Sequence, residues 1–271
     1  MSKTVIITGA SSGFGRETAR LFQEKGWNVV ATMRSPEDEQ ELGELENVLV
    51  IRLDVQEPES IQNAIKAAIQ HFGGIDVLVN NAGFGLMGVF ESATPEQIRK
   101  QYAVNVFGLM DVTSAVLPLM RKQGSGHIIN ISSFGGQIGL PFGSLYNSSK
   151  FAVEGFSESL SHEVSAFGIS VKIIEPGGVA TNFRNGLEMI KNEILEYNPI
   201  MGNFFGRYQS TTGHLPKATP EDVAHSIYEA ATDEKAQLRY VVGEDAQFYI
   251  DTKYENSDQD FIKIMRDRFV N

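Results

Sequence analysis

Tyr146 and Lys150 stand four residues apart at the start of a helical pattern, a spacing that projects both side chains from one helix face. A lysine cation beside a phenol lowers the phenol's pKa from its ordinary ~10 toward neutrality, which makes the tyrosine a usable proton donor or acceptor. Metal-free reduction of a ketone needs such a donor, because the arriving hydride leaves an alkoxide to be protonated. Spacing alone is weak evidence, since a second pair, Tyr249 and Lys253, has it too. Context separates the two. Tyr146 follows Ser133, which ends an apolar strand pattern, by 13 residues, whereas Tyr249 lies in the C-terminal region with no comparable partner. We read Tyr146, Lys150 and Ser133 as chemical and the Tyr249 pair as structural.

A second constellation opens the chain. An apolar strand pattern runs into Thr8-Gly9-Ala10-Ser11-Ser12-Gly13-Phe14-Gly15 and then into a helix. Glycines let the backbone turn sharply and bring its N–H groups close to a pyrophosphate, and the helix N-terminus adds a favourable dipole. The spacing is GxxxGxG rather than the commoner GxGxxG, so the general dinucleotide fingerprint is not strictly matched. About 20 positions after such a loop, a carboxylate marks binding of an unphosphorylated ribose. Here those positions hold Thr32 and Met33, followed by Arg34, a guanidinium suited to a 2′-phosphate. Ser11 can add a phosphate hydrogen bond. The expected cofactor is NADP(H), with NAD(H) the lesser fit.

Short β-branched runs separated by helical patterns must position these groups. Strands are predicted at Thr4–Thr8, Val29–Met33, Val48–Asp54, Asp76–Asn80, His127–Ser132, Ser170–Glu175 and Arg239–Val242. They are apolar nearly throughout, as in a parallel sheet covered on both faces. Helices are predicted near 14–25, 59–72, 95–122, 145–167, 219–232 and 258–268. Thr94-Pro95-Glu96 and Thr219-Pro220-Glu221 read as helix starts, and Gly26, Gly73 and Gly168 as helix stops. The fold class is α/β: a single Rossmann-like, doubly wound parallel sheet of about seven strands, helices on both faces, in one domain spanning 1–271. The irregular stretch 183–217 reads as a substrate lid. Asp54-Val55 and Asn81-Ala82-Gly83 close two strands at the ligand-binding edge of such a sheet.

Composition narrows the function classes. Twenty-three basic against 34 acidic residues give a net charge of −11, which argues against nucleic acid or an anionic membrane as partner. With no cysteine, thiolate catalysis and cysteine-ligated metals are excluded. His71, His127, His162, His214 and His225 are scattered and predict no metal site. The longest apolar stretch, 104–120, is interrupted by Asn105, Asp111 and Pro118, and the N-terminal run is too short for a secretory signal; a cytoplasmic protein is expected.

Together these residues make the chain resemble the short-chain dehydrogenase/reductase family, in its single-domain branch, from Thr4 to about Thr181 and more loosely to 243. The resemblance rests on TGASSGFG, the LDV and NNAG strand ends, Asn105 in YAVNVFG, Ser133 in INISS, YNSSK, and PGGVAT at 176–181. It implies Tyr146 as general acid/base, Ser133 polarising the substrate carbonyl, and Lys150 binding the nicotinamide ribose. It implies that Asn105 holds a water of a proton relay and that Asp54 meets the adenine amino group. Asn81 and Gly83 would flank the cofactor, as would Val55 and Ala82 beside them, with Pro176, Gly177, Val179 and Thr181 around the carboxamide. It further implies a homodimer or homotetramer built on the helices near 95–122 and 145–167. Gln137, Leu140 and Phe142, with Phe183, Leu187, Met189, Ile190, Phe204, Phe205 and Tyr208 of the lid, suit a medium-sized apolar ketone or alcohol. A non-catalytic dinucleotide sensor of the same fold is the alternative, though such a protein usually loses one of the Ser, Tyr or Lys present here.

Overall fold

The computed structural model of the chain describes residues 2–178 and 186–270. Seven β-branched runs form one parallel sheet: β1 (Thr4–Ile7), β2 (Asn28–Met33), β3 (Val48–Arg52), β4 (Val77–Asn80), β6 (Gly126–Ile131), β7 (Ile169–Pro176) and β9 (Arg239–Val242), ordered β3-β2-β1-β4-β6-β7-β9. Between them come the helices α1 (Gly13–Glu24), α2 (Pro58–Phe72), α3 (Pro95–Tyr102), α4 (Leu109–Gln123), α5 (Ser144–Val164) and α7 (Pro220–Thr232). Alternate strand residues feed two apolar layers. Val5, Ile7 and Val29 pack with Phe22 of α1 and Ile227 of α7, while Ile6, Val30 and Leu78 pack with Ile65 of α2, Val116 of α4 and Leu160 of α5. Burial on both faces explains why the strands read as continuous apolar runs.

The punctuation behaves as its chemistry requires. Gly26, Gly73 and Gly168 take φ of 79°, 89° and 69°, the left-handed region that ends a helix at little cost. Thr94 with Gln97, and Thr219 with Asp222, close reciprocal capping boxes ahead of N1 prolines.

Four features were not anticipated. The helix expected over 95–122 is α3 and α4 joined by a π-helical segment, Ala103–Gly108. By length and hydropathy this run, 95–123, does reach the measure of a membrane span, but Val112, Val116 and Met120 are fully buried against the sheet. Two helices were unforeseen, α6 (Asn198–Thr212) and α8 (Glu244–Tyr254); α8 precedes the expected C-terminal helix, α9 (Asp258–Phe269). The stretch read as a lid also carries a strand, β8 (Leu187–Met189), which pairs in parallel with β5 (Gly85–Met87). Polar contacts fasten the same two regions: Lys100 Nζ to Glu188 Oε1 at 2.6 Å, Tyr197 Oη to Glu91 Oε2 at 3.1 Å, and Ser92 Oγ to Asn192 Oδ1 at 3.3 Å.

At the carboxyl end of β7 a buried carboxylate organises the backbone. Asp245, at the start of α8, accepts the Gly178 N–H at 2.8 Å and the Ala246 N–H at 2.9 Å. A Cβ on Gly243 would lie 2.8 Å from its Oδ1, and a Cβ on Gly177 would overlap the same oxygen. Gly177→Ala should therefore lower unfolding free energy by about 1–3 kcal/mol through overpacking. Gly202→Ala, at an open position within α6, should be neutral or slightly stabilising. Urea denaturation of the two variants checks the contrast.

Candidate active site

A cleft of about 870 Å³ lies at the carboxyl ends of the strands. The glycine loop forms one wall. Gly9 takes φ 69° and a Cβ there would come 3.0 Å from Ala82 Cα; a Cβ on Gly15 would meet Asn81 Nδ2 at 2.5 Å. Thr8 and Asn81 lock this wall to the end of β4. Thr8 Oγ1 accepts the N–H groups of Asn81 and Ala82, each at 3.0 Å, while Asn81 Nδ2 donates to the carbonyls of Thr8 at 2.9 Å and Gly9 at 3.0 Å. Gly13, φ 55°, begins α1, and the Ser12 side chain makes no cap bond, so the first N–H groups of the helix are left for a ligand. Such a cradle, with a helix dipole behind it, fits the pyrophosphate of a dinucleotide.

Ser11, Arg34, Asp54, Val55, Ala82 and Gly83 line the same cleft. Arg16 lines it too but is committed, donating to Ser11 O at 3.1 Å and pairing with Glu39 at 2.9 Å. Arg34 makes no ion pair or hydrogen bond among the described residues, which leaves its guanidinium available. Asp54 Oδ1 accepts the Gln56 N–H at 3.0 Å.

At the far end of the cleft the chemistry-bearing side chains converge. Tyr146 and Lys150 sit in the first two turns of α5, and Ser133 follows β6. Ser133 Oγ accepts the Gly135 N–H at 3.1 Å, points toward Pro176 O at 3.4 Å, and lies within hydrogen-bonding reach of the Tyr146 phenol. Lys150 Nζ donates to Ile131 O at 2.8 Å and lies 5.8 Å from the centre of the Tyr146 ring. Asn105 sits within the π-helical segment. Its Oδ1 accepts the Phe84 N–H at 3.0 Å, and its Nδ2 donates to Phe84 O at 2.9 Å and to Ser149 Oγ at 3.2 Å. Gly83 lies between Asn105 and Lys150, for a Cβ on it would be 3.2 Å from Asn105 Oδ1 and 3.8 Å from Lys150 Nζ.

The electrostatics differ from the sequence expectation. Burial pushes the phenol of Tyr146 above its ordinary value, with the Ser133 hydrogen bond pulling weakly the other way. Burial also draws the Lys150 ammonium down to about 8 against the charge of Glu154. Within the chain itself desolvation outweighs the lysine's effect, because the ammonium bonds to Ile131 O and not to the phenol oxygen.

Pro176 and Gly177 stand at the end of β7, close to Ser133; Val179 and Thr181, also expected at the cofactor, and Phe183, expected at the substrate, lie outside the described residues. Tyr249 lies apart from this cluster, in the apolar core beneath α8. It is fully buried, with Phe134 and Tyr208 stacked at 5.4 and 6.2 Å. Two of the expected substrate-lining residues are corrected. Gln137 faces inward, donating to Glu175 and accepting from Tyr254 Oη at 2.6 Å, and Phe204 is buried against Phe269 at 5.5 Å. Phe142 does line a second cavity, about 420 Å³, with Val89, Phe90, Ser144 and Tyr197. Residues overlooked in the sequence are Asn147, whose Nδ2 donates to Ile138 O at 2.9 Å and so holds the loop before Tyr146, and Gln101, whose amide bonds both Leu86 N at 2.8 Å and Phe84 O at 3.0 Å. A polar residue next to a candidate catalytic tyrosine was the available signal for the first; nothing marked the second.

Comparison with known proteins agrees with this geometry. Residues 3–190 match the family model described as short chain dehydrogenase. An uncharacterised oxidoreductase from Schizosaccharomyces pombe is 44% identical over 213 residues, 78% of this chain and 89% of that one. The crystal structure of a short-chain dehydrogenase from Streptomyces avermitilis superposes with a TM-score of 0.84 at 34% identity, covering 97% of this chain and 96% of the other. ElxO, solved with NADP bound, reaches a TM-score of 0.74 at 30% identity over 89% of this chain and 98% of its own. A glycine cradle, a Ser-Tyr-Lys cluster at the strand ends and these relatives lead to one conclusion: the chain belongs to the short-chain dehydrogenase family of oxidoreductases.

Proposed function

We propose that the protein is an NADP(H)-dependent oxidoreductase acting on the carbonyl or secondary alcohol of an apolar substrate. The observation that carries the reading is the convergence of Ser133, Tyr146 and Lys150 at one end of a cleft whose other end is a glycine cradle. Gly9, Ser11, Gly13, Gly15 and Arg34 would hold a nicotinamide dinucleotide, which when bound would supply the hydride chemistry. The chain does the rest. Ser133 Oγ orients the carbonyl oxygen, and the Tyr146 phenol, kept protonated by its burial, donates to that oxygen. Lys150, held by Ile131 O, places a cation near the phenol as its proton leaves. The cavity beside Phe142 and Ser144 supports an apolar tail on the substrate.

Tyr146→Phe should cut turnover at least about 10²-fold with cofactor affinity nearly unchanged, while Tyr249→Phe keeps activity. A panel of ketones and alcohols followed by the absorbance of reduced nicotinamide checks it. Tight cofactor binding with no turnover on any substrate would favour a dinucleotide sensor instead.

Arg34, unpartnered among the described residues, and the lack of a carboxylate at Thr32 and Met33 support NADP over NAD. A charge-assisted contact contributes about 1.5–3 kcal/mol, so the preference for NADPH should be roughly 10- to 100-fold and Arg34→Ala should erase most of it. Equal initial rates with both cofactors in the unmodified protein would defeat this assignment.

A homodimer or homotetramer is supported by Phe107, 58% exposed in the π-helical segment, and Phe151, 44% exposed on α5, which leave apolar surface on one helical layer. Light scattering at micromolar concentration should give a multiple of 29.9 kDa; a monomer would refute the assembly.

A further inference from the structure

The stripe of α5 that carries Tyr146 and Lys150 continues, at the same four-residue step, to Glu154 and Glu158. Glu154 is 6% exposed, and Glu175 of β7, packed behind it, is 0% exposed. Arg239 of β9 serves all three carboxylates: its Nε lies 2.9 Å from Glu154 Oε2 and 3.5 Å from Glu175 Oε1, and its Nη2 lies 2.6 Å from Glu158 Oε2. Gln137, itself held by Tyr254 of α8, donates to Glu175 Oε1. The remaining oxygens, Glu154 Oε1 and Glu175 Oε2, are buried and have no donor among the described residues, and nor does Ser132 Oγ. Yet one atom, Arg239 Nε, reaches an oxygen of each carboxyl, which sets the two side by side. Gly136 keeps the space between Ser132 and Glu154 open, since a Cβ there would sit 2.6 Å from Ser132 Oγ and 3.2 Å from Glu154 Oε1.

An oxygen stripped of water and left without a donor is costly, and two carboxylates side by side are costlier still. A single proton between them serves both orphaned oxygens. It also balances the charge, because Lys150 and Arg239 then face Glu158 and a pair bearing one negative charge.

We propose that Glu154 and Glu175 share one proton, and that the single negative charge left on the pair holds Lys150 as its ammonium form. They are a positioning pair for the proton transfer at Tyr146, and this role rests on the oxidoreductase reading above. The groups facing the pair are Lys150 and Glu158 on α5, Arg239 on β9, Ser132 and Gln137 after β6, and Tyr254 on α8. Burial and the adjoining Glu154 charge push the Glu175 carboxyl up to about 8, while Glu154 is the charge opposing the downward pull on Lys150.

Infrared spectroscopy reads the shared proton without turnover. The wild-type protein at pH 7 should show the C=O stretch of a protonated carboxyl, fading as pH rises through about 8 and absent from Glu175→Gln. No band in the wild type, or a band that persists in Glu175→Gln, overturns the shared proton. The alkaline limb of the kcat profile for ketone reduction reads Lys150. Because Glu175 would ionise once Glu154 is neutralised, the test removes both charges. In Glu154→Gln/Glu175→Gln, checked as folded by circular dichroism, the limb should move down by about one pH unit, and Glu175→Gln alone, which keeps the charge on Glu154, should restore most of the difference. An unmoved limb in the folded double variant overturns the effect on Lys150. The infrared band in a protein without turnover supports the proton-sharing pair and counts against the oxidoreductase reading instead.

Discussion

Between β1 and β4 the sheet changes its direction of growth. From β1 the chain steps outward through β2 and β3, then crosses back to β4 and proceeds through β6, β7 and β9 on the other side. Connections leaving the carboxyl ends of β1 and β4 therefore diverge to opposite faces, and a crevice opens between them that neither helical layer can fill. Thr8 and Asn81 are the hinge pins of that crevice. By tying the two strand ends together through side chain and backbone, they hold the glycine loop open without filling the space it borders. The placement of α5 depends on the same frame, since Lys150 is anchored to the carbonyl of Ile131 at the end of β6.

Much of this was legible in the residues. Strands buried on both faces announce themselves as apolar runs, so all seven sheet strands were found, with ends differing by a residue or two. Threonine before proline and glycine before a strand have local causes, and local causes survive in sequence. What escaped depended on partners far along the chain. The three residues of β5 are too few for any periodicity, and their pairing with β8 joins segments about a hundred residues apart. Helix α6 is interrupted by Gly202 and Gly206, which blurs its pattern, and α8 begins on Glu244 and Asp245, acidic residues that were a usable but overlooked start signal.

The interior polar groups were the hardest to read. The four-residue step from Tyr146 to Lys150 was visible, but its extension to Glu154 was not drawn. Whether Glu154 faced water or another carboxylate depended on β7, which places Glu175 on the same side of the sheet as α5. Gln137 shows the same dependence. Its position between Ser133 and Tyr146 pointed to the substrate, but the turn at 134–136 directs its amide inward to Glu175. Sequence spacing assigns a residue to a neighbourhood, and the backbone then decides which way it faces.

Phe142 holds a φ of 61°, a left-handed conformation unusual for a bulky side chain, four residues before Tyr146. Its carbonyl accepts the Gly88 N–H at 2.7 Å, and its ring meets Phe204 and Phe205 of α6 at 5.6 and 6.5 Å. Strain of order 1–3 kcal/mol persists only where surroundings enforce it. The rings of α6 thus help to impose the backbone geometry that leads into the tyrosine's helix. Thermodynamic linkage makes such an influence mutual: whatever steadies α6 against Phe142 also steadies the approach to Tyr146, and a ligand that fixes the tyrosine tightens the seat of α6 by the same free energy.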